Sequence, residues 1–216
     1  MPGYRVGERL FVNPVRIVII AKAPIASFAK TRLIPSLGAH RAADLAGRML
    51  RHTVANALEA KLDAVELCVT PDVSDAAWAT LNLPEGLQWS AQGEGDLGLR
   101  MARAAKRCSD RSESVLLIGT DCPALSVNVL RSAAKALDDH EAAVVPTYDG
   151  GYALLGLNRF DAALFSDIPW STNRVAAMTL DRIRQLGWRT QALATQHDID
   201  EPADLQWLPK GWGYSG

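Results

Sequence analysis

The sequence has little of what marks several large classes of protein. It carries three cysteines, Cys68, Cys108 and Cys122, an odd number with no Cys-x-x-Cys spacing. A disulfide framework and a thiolate zinc site are therefore not expected, and a reducing, cytoplasmic location is. No apolar run approaches the roughly 20 residues that cross a bilayer. The longest early one, Ile17 to Ala21, follows several charges and lacks the layout of a signal peptide. The formal net charge is -1, so no bulk field draws the chain to nucleic acid, and no basic stripe with interleaved aromatics suggests such a partner. The first apolar run is followed neither by Gly-x-x-x-x-Gly-Lys nor by Gly-x-Gly-x-x-Gly, which removes the P-loop and dinucleotide fingerprints. A Gly-x-Ser-x-Gly elbow is also missing. There is no internal repeat and no linker.

What remains is an ordinary globular composition, 216 residues with 48% hydrophobic and 22% charged. A chain of this length buries about 70% of its unfolded surface and needs no staples. Apolar runs at 15–21, 65–70, 115–119, 142–146, 152–157 and 189–194 read as strands, with a weaker one at 87–90. Helical spacing recurs at 38–61, 97–108, 126–138 and 173–187, with shorter segments near 74–81, 160–165 and 202–207. Strands alternating with helices predict a single α/β domain, a mostly parallel sheet with helices on both faces. The Asp149-Gly150-Gly151 turn predicts one hairpin within it. The domain is expected over 15–208, with tails at 1–14 and 209–216. The amphipathic helices leave room for a homodimer.

The chemistry-bearing residues cluster at expected strand ends. Gly119-Thr120-Asp121-Cys122-Pro123 follows a buried strand, so Asp121 stands where open α/β sheets bind ligands. It either holds a metal against a phosphate or caps the next helix. Lys22, Lys30 and Arg32 lie at the mouth of the first strand, cations suited to phosphate oxygens. Asp149 and the flexible Gly150 and Gly151 end another strand. Asp198 and Asp200 form an Asp-x-Asp pair that, in extended backbone, points one way and could share a cation; alternatively Asp200 starts the helix at Pro202. Together with Asp121 they would make a hard-oxygen site for Mg²⁺ or Mn²⁺. Cys122 reads as a small buried thiol. His40 and His52 read as packing or surface residues, His197 stays open, and Trp170 could stack on a base or sugar.

Six blocks in order, AKAPIASFAKTRL (21–33), QGEGDLGLRM (92–101), GTDCPALS (119–126), DGGYALLGL (149–157), PWST (169–172) and DIDEPADL (198–205), resemble the bacterial radical-SAM/selenodomain-associated transferase 1 family of the nucleotide-diphospho-sugar transferase superfamily. The resemblance covers about residues 15 to 208 and implies the glycosyltransferase-A fold with a nucleotide-diphosphate site at the C-terminal edge of the sheet. It implies that Lys30 and Arg32 hold phosphate, that Asp121, Asp198 and Asp200 hold the metal, and that Gly98 and Arg100 belong to the nucleotide-binding set. The chain departs from that pattern at Ser27, near which the first loop usually carries glycine. With that departure the expected activity is glycosyl transfer from a nucleotide sugar to a small-molecule acceptor, and Asp149 is the candidate base by its position at a strand end. The alternatives are transfer of a nucleotidyl group from a triphosphate, releasing pyrophosphate, and a nucleotide-binding protein that has lost catalysis.

Overall fold

The computed structural model describes residues 13–214; of the expected tails at 1–14 and 209–216, residues 1–12 and 215–216 lie outside the described residues. Within them the elements run β1 (Val15–Lys22), α1 (Ile34–Leu37), α2 (Ala39–Glu59), β2 (Ala64–Thr70), α3 (Ala76–Ala79), β3 (Gln88–Ala91), α4 (Leu97–Ser109), β4 (Ser114–Ile118), α5 (Val127–Ala136), β5 (Ala142–Pro146), β6 (Tyr152–Leu157), α6 (Val175–Gln185) and β7 (Thr190–Ala192). One sheet holds all seven strands, in the order β3-β2-β1-β4-β6-β5-β7. All neighbours are parallel except β6, which runs antiparallel between β4 and β5. The Asp149–Gly151 turn makes that hairpin, with Gly150 at φ +90°, a conformation that costs glycine little.

Both faces of the sheet are covered. Ile17, Ile19 and Ala21 of β1 join Leu50, Val54 and Ala57 of α2 and Leu130 and Ala133 of α5 in one core. Val18 points to the other side, with Met101, Ala104 and Cys108 of α4 and Ile183 of α6. The strict period of two in β1 therefore feeds two cores, which is why its sequence is apolar almost throughout. Helix starts carry local caps: the Asp96 carboxylate accepts from Leu99 N at 2.8 Å and Ser126 Oγ from Val129 N at 3.4 Å. Gly187, at φ +68°, ends α6. The helix expected near 160–165 is a 3-10 turn over Ala162–Leu164, begun by the Asp161 carboxylate accepting from Ala163 N. Residues 209–214, expected to fray, lie along α2: Arg48 donates to Trp212 O at 2.8 Å and its guanidinium stands 4.5 Å from the Trp212 ring centroid.

Near the N-terminal ends of the strands a buried ionic network ties β1, β2, β3, α4 and the loop before β4. Arg16 donates from Nε and Nη2 to the two Glu113 oxygens at 2.6 and 2.7 Å, and from Nη1 to Gln88 Oε1 at 2.6 Å. Glu66 lies 3.7 Å from Arg16, accepts from Ser90 Oγ at 2.6 Å and pairs with Arg107. A side-chain hydrogen bond from Arg16 holds the Glu113 carboxyl below its ordinary range. Arg16→Ala leaves Glu113 without its principal partner and Glu66 with only one of its two cations. It is expected to cost about 3 kcal/mol, as broken buried pairs do, read as a lower urea midpoint with unchanged slope. An unchanged midpoint would show that the network contributes no stability.

Candidate functional site

Because β2 and β3 lie on one side of β1 and β4 on the other, the order of the sheet reverses between β1 and β4. The loops after those two strands diverge and open a crevice at their C-terminal ends. There a cleft of about 320 Å³ is lined by residues 119–122 after β4, by Thr147, Asp149 and Gly151 at the β5–β6 turn, by Trp170 to Thr172, by Leu97 and Met101 of α4, and by Asp198 and Asp200. Four carboxylates face it, and no lysine, arginine or histidine among the described residues lines it.

Burial of two aliphatic anchors brings the separate segments together. Leu33 and Ile199, both fully buried, share a third cluster with Leu45 and Met49 of α2. Their neighbours Lys30, Asp198 and Asp200 are carried with them. Ile199 N also donates to Asp121 O at 2.8 Å, so the acidic segment is clipped to the loop after β4. His52 Nε2 contacts Pro123 O at 3.0 Å and Asn56 Nδ2 donates to Leu125 O at 3.0 Å, fixing that loop to α2.

The result is an ammonium held between two carboxylates. Lys30 Nζ lies 2.7 Å from Asp121 Oδ1 and 2.7 Å from Asp200 Oδ1, with its side chain 6% exposed. Burial alone would lower the Lys30 pKa, but Asp121 and Asp200 reverse that and hold it above its ordinary value. Lys30 is charged at neutral pH. The 3-10 turn at Pro202–Trp207 is started by a reciprocal bond set between Glu201 and Asp204, so Asp200 is not the helix cap and is free for Lys30. Asp198 goes the other way. Burial, then the charge of Asp149, with smaller contributions from Asp200 and Asp204, pushes its carboxyl up to about 6. Both acids of the Asp-x-Asp pair line the cleft, Asp200 against Lys30 and Asp198 against the charge of Asp149. Among the described residues no three His, Cys, Asp or Glu side chains are grouped tightly enough to hold a metal by themselves.

Asp149 is oriented by its own turn: Oδ1 accepts from Thr147 Oγ1 at 2.5 Å and from Gly151 N at 2.9 Å. Gly150 has no room for a side chain, since a Cβ there would stand 2.2 Å from Asn173 O. Beside this turn, Tyr148, His197 and Trp207 stack with centroid spacings of 4.2 and 3.9 Å. That stack, which leaves His197 flat between two rings, had no signature in the sequence because its members are 49 and 10 residues apart.

Several residues expected at phosphate stand elsewhere. Lys22 Nζ donates to Phe28 O at 2.8 Å, tying down the first loop. Arg32 is 61% exposed and 4.0 Å from Glu201. Arg100 donates to Gly95 O at 2.9 Å and to Gln92 Oε1 at 3.2 Å. Lys22 and Arg100 hold loops, Arg32 stays exposed, and none of the three lines the cleft. Gln92, which the sequence reading passed over, is buried and donates to Ala21 O at 2.8 Å and Cys68 O at 3.0 Å, bracing the ends of β1 and β2. Gly98 acts through packing: a Cβ there would meet Trp170 Nε1 at 2.5 Å and Phe165 O at 2.6 Å. Its missing side chain is what lets Trp170 sit at the cleft wall. Ser27 adopts φ +67°, the left-handed region natural to glycine, so the departure from the family pattern keeps the loop's shape at a cost in strain. Cys122 is buried, and desolvation pushes its thiol up to about 11; it is no nucleophile at neutral pH.

An open sheet of this topology, with acids at its reversal point, has the fold of the nucleotide-diphospho-sugar transferases. A protein of Desulfovibrio desulfuricans assigned as a nucleotide-diphospho-sugar transferase superposes with a TM-score of 0.84 at 26% identity, over 94% of this chain and 90% of that one. The 4-diphosphocytidyl-2C-methyl-D-erythritol synthase of Anaerococcus prevotii shares the fold at 15% identity and TM-score 0.60, over 90% and 94%. So does a Mycobacterium tuberculosis protein crystallised in complex with manganese, at 17% identity and TM-score 0.57, over 92% and 100%. Residues 53–172 match the family described as uncharacterized proteins conserved in bacteria, DUF2064; the chain belongs to that family. Among curated proteins none matches it. No helix among the described residues is long and apolar enough to cross a membrane.

Two outcomes follow from this geometry. Gly98→Ala must displace Trp170 or the backbone at Phe165 and is expected to cost about 1–3 kcal/mol by overpacking, measured by urea unfolding; wild-type stability would contradict the contact. Asp198 has a folded pKa near 6 against an ordinary 3.8. Its ionisation therefore opposes folding, with the penalty absent below the unfolded value, growing through about pH 6 and constant above. In chelator, Asp198→Asn should melt higher than wild type at pH 8 and no higher at pH 3.5. Equal melting at pH 8 would show that the carboxylates are not crowded.

Proposed function

We propose that the protein is a metal-dependent transferase whose donor is activated by a nucleotide diphosphate, and that it transfers a glycosyl group from a nucleotide sugar. The observation that carries this reading is the charge of the cleft. Four carboxylates against one ammonium repel a diphosphate unless a cation enters as well. The donors are hard oxygens, which suit Mg²⁺ or Mn²⁺, and the site lies at the reversal point of a nucleotide-diphospho-sugar transferase fold. Asp121, Asp198 and Asp200 are the residues that would hold the ion. Their carboxylate oxygens would hold such an ion beside the space a diphosphate would occupy. A bound divalent ion supplies positive charge against the diphosphate leaving group.

The chain's own residues do the rest. Lys30 stays charged and adds a second positive centre for the leaving group. Trp170 and the apolar side chains of Leu97 and Met101 form a wall that excludes water from part of the cleft. Asp149, with Oδ1 fixed by Thr147 and Gly151, keeps Oδ2 free to accept the proton of an acceptor hydroxyl as its oxygen bonds to the anomeric carbon and the sugar–phosphate bond breaks. A triphosphate grip is disfavoured, because Lys22, Arg32 and Arg100 are engaged with loops and acids outside the cleft.

Thermal shifts against UDP, GDP, ADP and CDP, their triphosphates and their sugars, with and without Mn²⁺, test the reading. One nucleotide sugar should raise Tm only with metal; at 100 times its Kd the gain is about 2.7 kcal/mol. Asp121→Asn should lose that gain. A larger shift with a triphosphate, together with pyrophosphate release, would turn the assignment to nucleotidyl transfer. No shift with any nucleotide in folded protein would overturn both.

A further inference from the structure

Two of the three carboxylates expected to share a metal, Asp121 and Asp200, already share a cation. An ion bound by Asp121 and Asp200 would draw its oxygens to about 2.0–2.1 Å for Mg²⁺. The volume between those oxygens is where Lys30 Nζ stands, 2.7 Å from each. The lysine is not a loose surface chain that could swing away freely. Its side chain is 6% exposed, whereas Asp121 and Asp200 are 50% and 38% exposed on their cleft side. Its backbone is held at φ +49°, a left-handed conformation that a lysine adopts only where its surroundings fix it, and Leu33 anchors the same turn in the core.

We propose that Lys30 is a resident counter-ion that bars the metal from the empty cleft and hands Asp121 and Asp200 over only when a phosphate arrives to receive its ammonium. This rests on the metal-and-nucleotide reading above and adds an order to it. A divalent ion entering alone would leave a buried ammonium beside a dication without its anionic partners, a costly arrangement. A phosphate entering alone would meet an uncompensated cluster of carboxylates. Entering together, the metal replaces the ammonium on the two acids and the ammonium pairs with phosphate oxygen, so Asp121, Asp200, Lys30 and the phosphate each keep a partner of opposite charge. Metal and phosphate therefore bind with positive coupling, and by linkage each strengthens the other equally. The other cations of the first loop cannot take this role: Lys22 is bonded to Phe28 O and Arg32 lies outward beside Glu201.

The test is equilibrium dialysis of Mn²⁺ against the intact wild-type chain, Lys30→Met and Lys30→Arg, with and without inorganic pyrophosphate as a probe that needs no nucleobase. Circular dichroism and melting establish folding first, and Lys30→Gln replaces Lys30→Met if the latter is unfolded. Without pyrophosphate, Lys30→Met should bind Mn²⁺ at least tenfold tighter than wild type, and Lys30→Arg, which keeps the charge, should stay near wild type. Pyrophosphate should tighten Mn²⁺ binding strongly in wild type and much less in Lys30→Met. Equal Mn²⁺ affinity of wild type and Lys30→Met would overturn the counter-ion role while leaving the metal reading in place. A failure of all the proteins to retain Mn²⁺, even with pyrophosphate, would remove the metal reading and this inference with it.

Discussion

An ammonium taken out of water is tolerated only where close anions replace its hydration. In this protein that requirement joins three distant stretches of chain. Lys30 comes from the loop after β1, Asp121 from the loop after β4, and Asp200 from the segment after β7. None is near another in sequence, yet the pairing holds only if Leu33 and Ile199 are both buried against α2 and the loop after β4 is pinned by His52 and Asn56. The core, the loops and the charge of the cleft are thus consistent with one arrangement at this point.

The molecule separates its two uses of charge along the strands. Near their N-terminal ends, Arg16, Arg107, Glu66 and Glu113 compensate one another inside the protein. At the C-terminal ends the carboxylates outnumber the cations, and Asp198 carries the cost as a carboxyl raised to about 6. Buried ions that satisfy each other give a fixed structure; ions left in excess give a site that seeks a partner of opposite charge. The same sheet supports both because its two ends are separated by the length of β1 and β4.

Walls and loops around the cleft are set by packing in places where no charge appears. Gly98 matters for what it does not have, since Trp170 Nε1 fills the space of its missing side chain. Gln92 stitches the ends of β1 and β2 together through backbone carbonyls, and Arg100 and Arg103 hold its loop from α4. Of the basic residues that look suited to phosphate in the sequence, Lys22 and Arg100 are spent on bracing loops, Arg32 stays exposed and Lys30 pairs with two acids. A cation's residue type indicates what it can pair with, and its neighbours decide what it does pair with.

Much of the fold was legible because its causes are local. The buried strands, the long amphipathic α2, the Asp-Gly-Gly hairpin and the stop at Gly187 each follow from periodicity or from a single residue's backbone preference, and Asp121 and Asp149 reached the cleft because strand ends are readable. The destinations of the remaining site residues were not readable. That Asp200 meets Lys30 while Asp198 is crowded by Asp149, that Arg100 serves Gln92, and that Lys30 fills the gap between two acids depend on which loops the cores bring within a few ångströms. An α/β sheet with acids and a lysine at the ends of its strands is written in the residues alone, because hydrophobic period and turn chemistry act over a few residues. Which acid meets which cation is settled by the fold, because electrostatic pairing is set by distance in space, and distance in space is set by burial of side chains far apart in the chain.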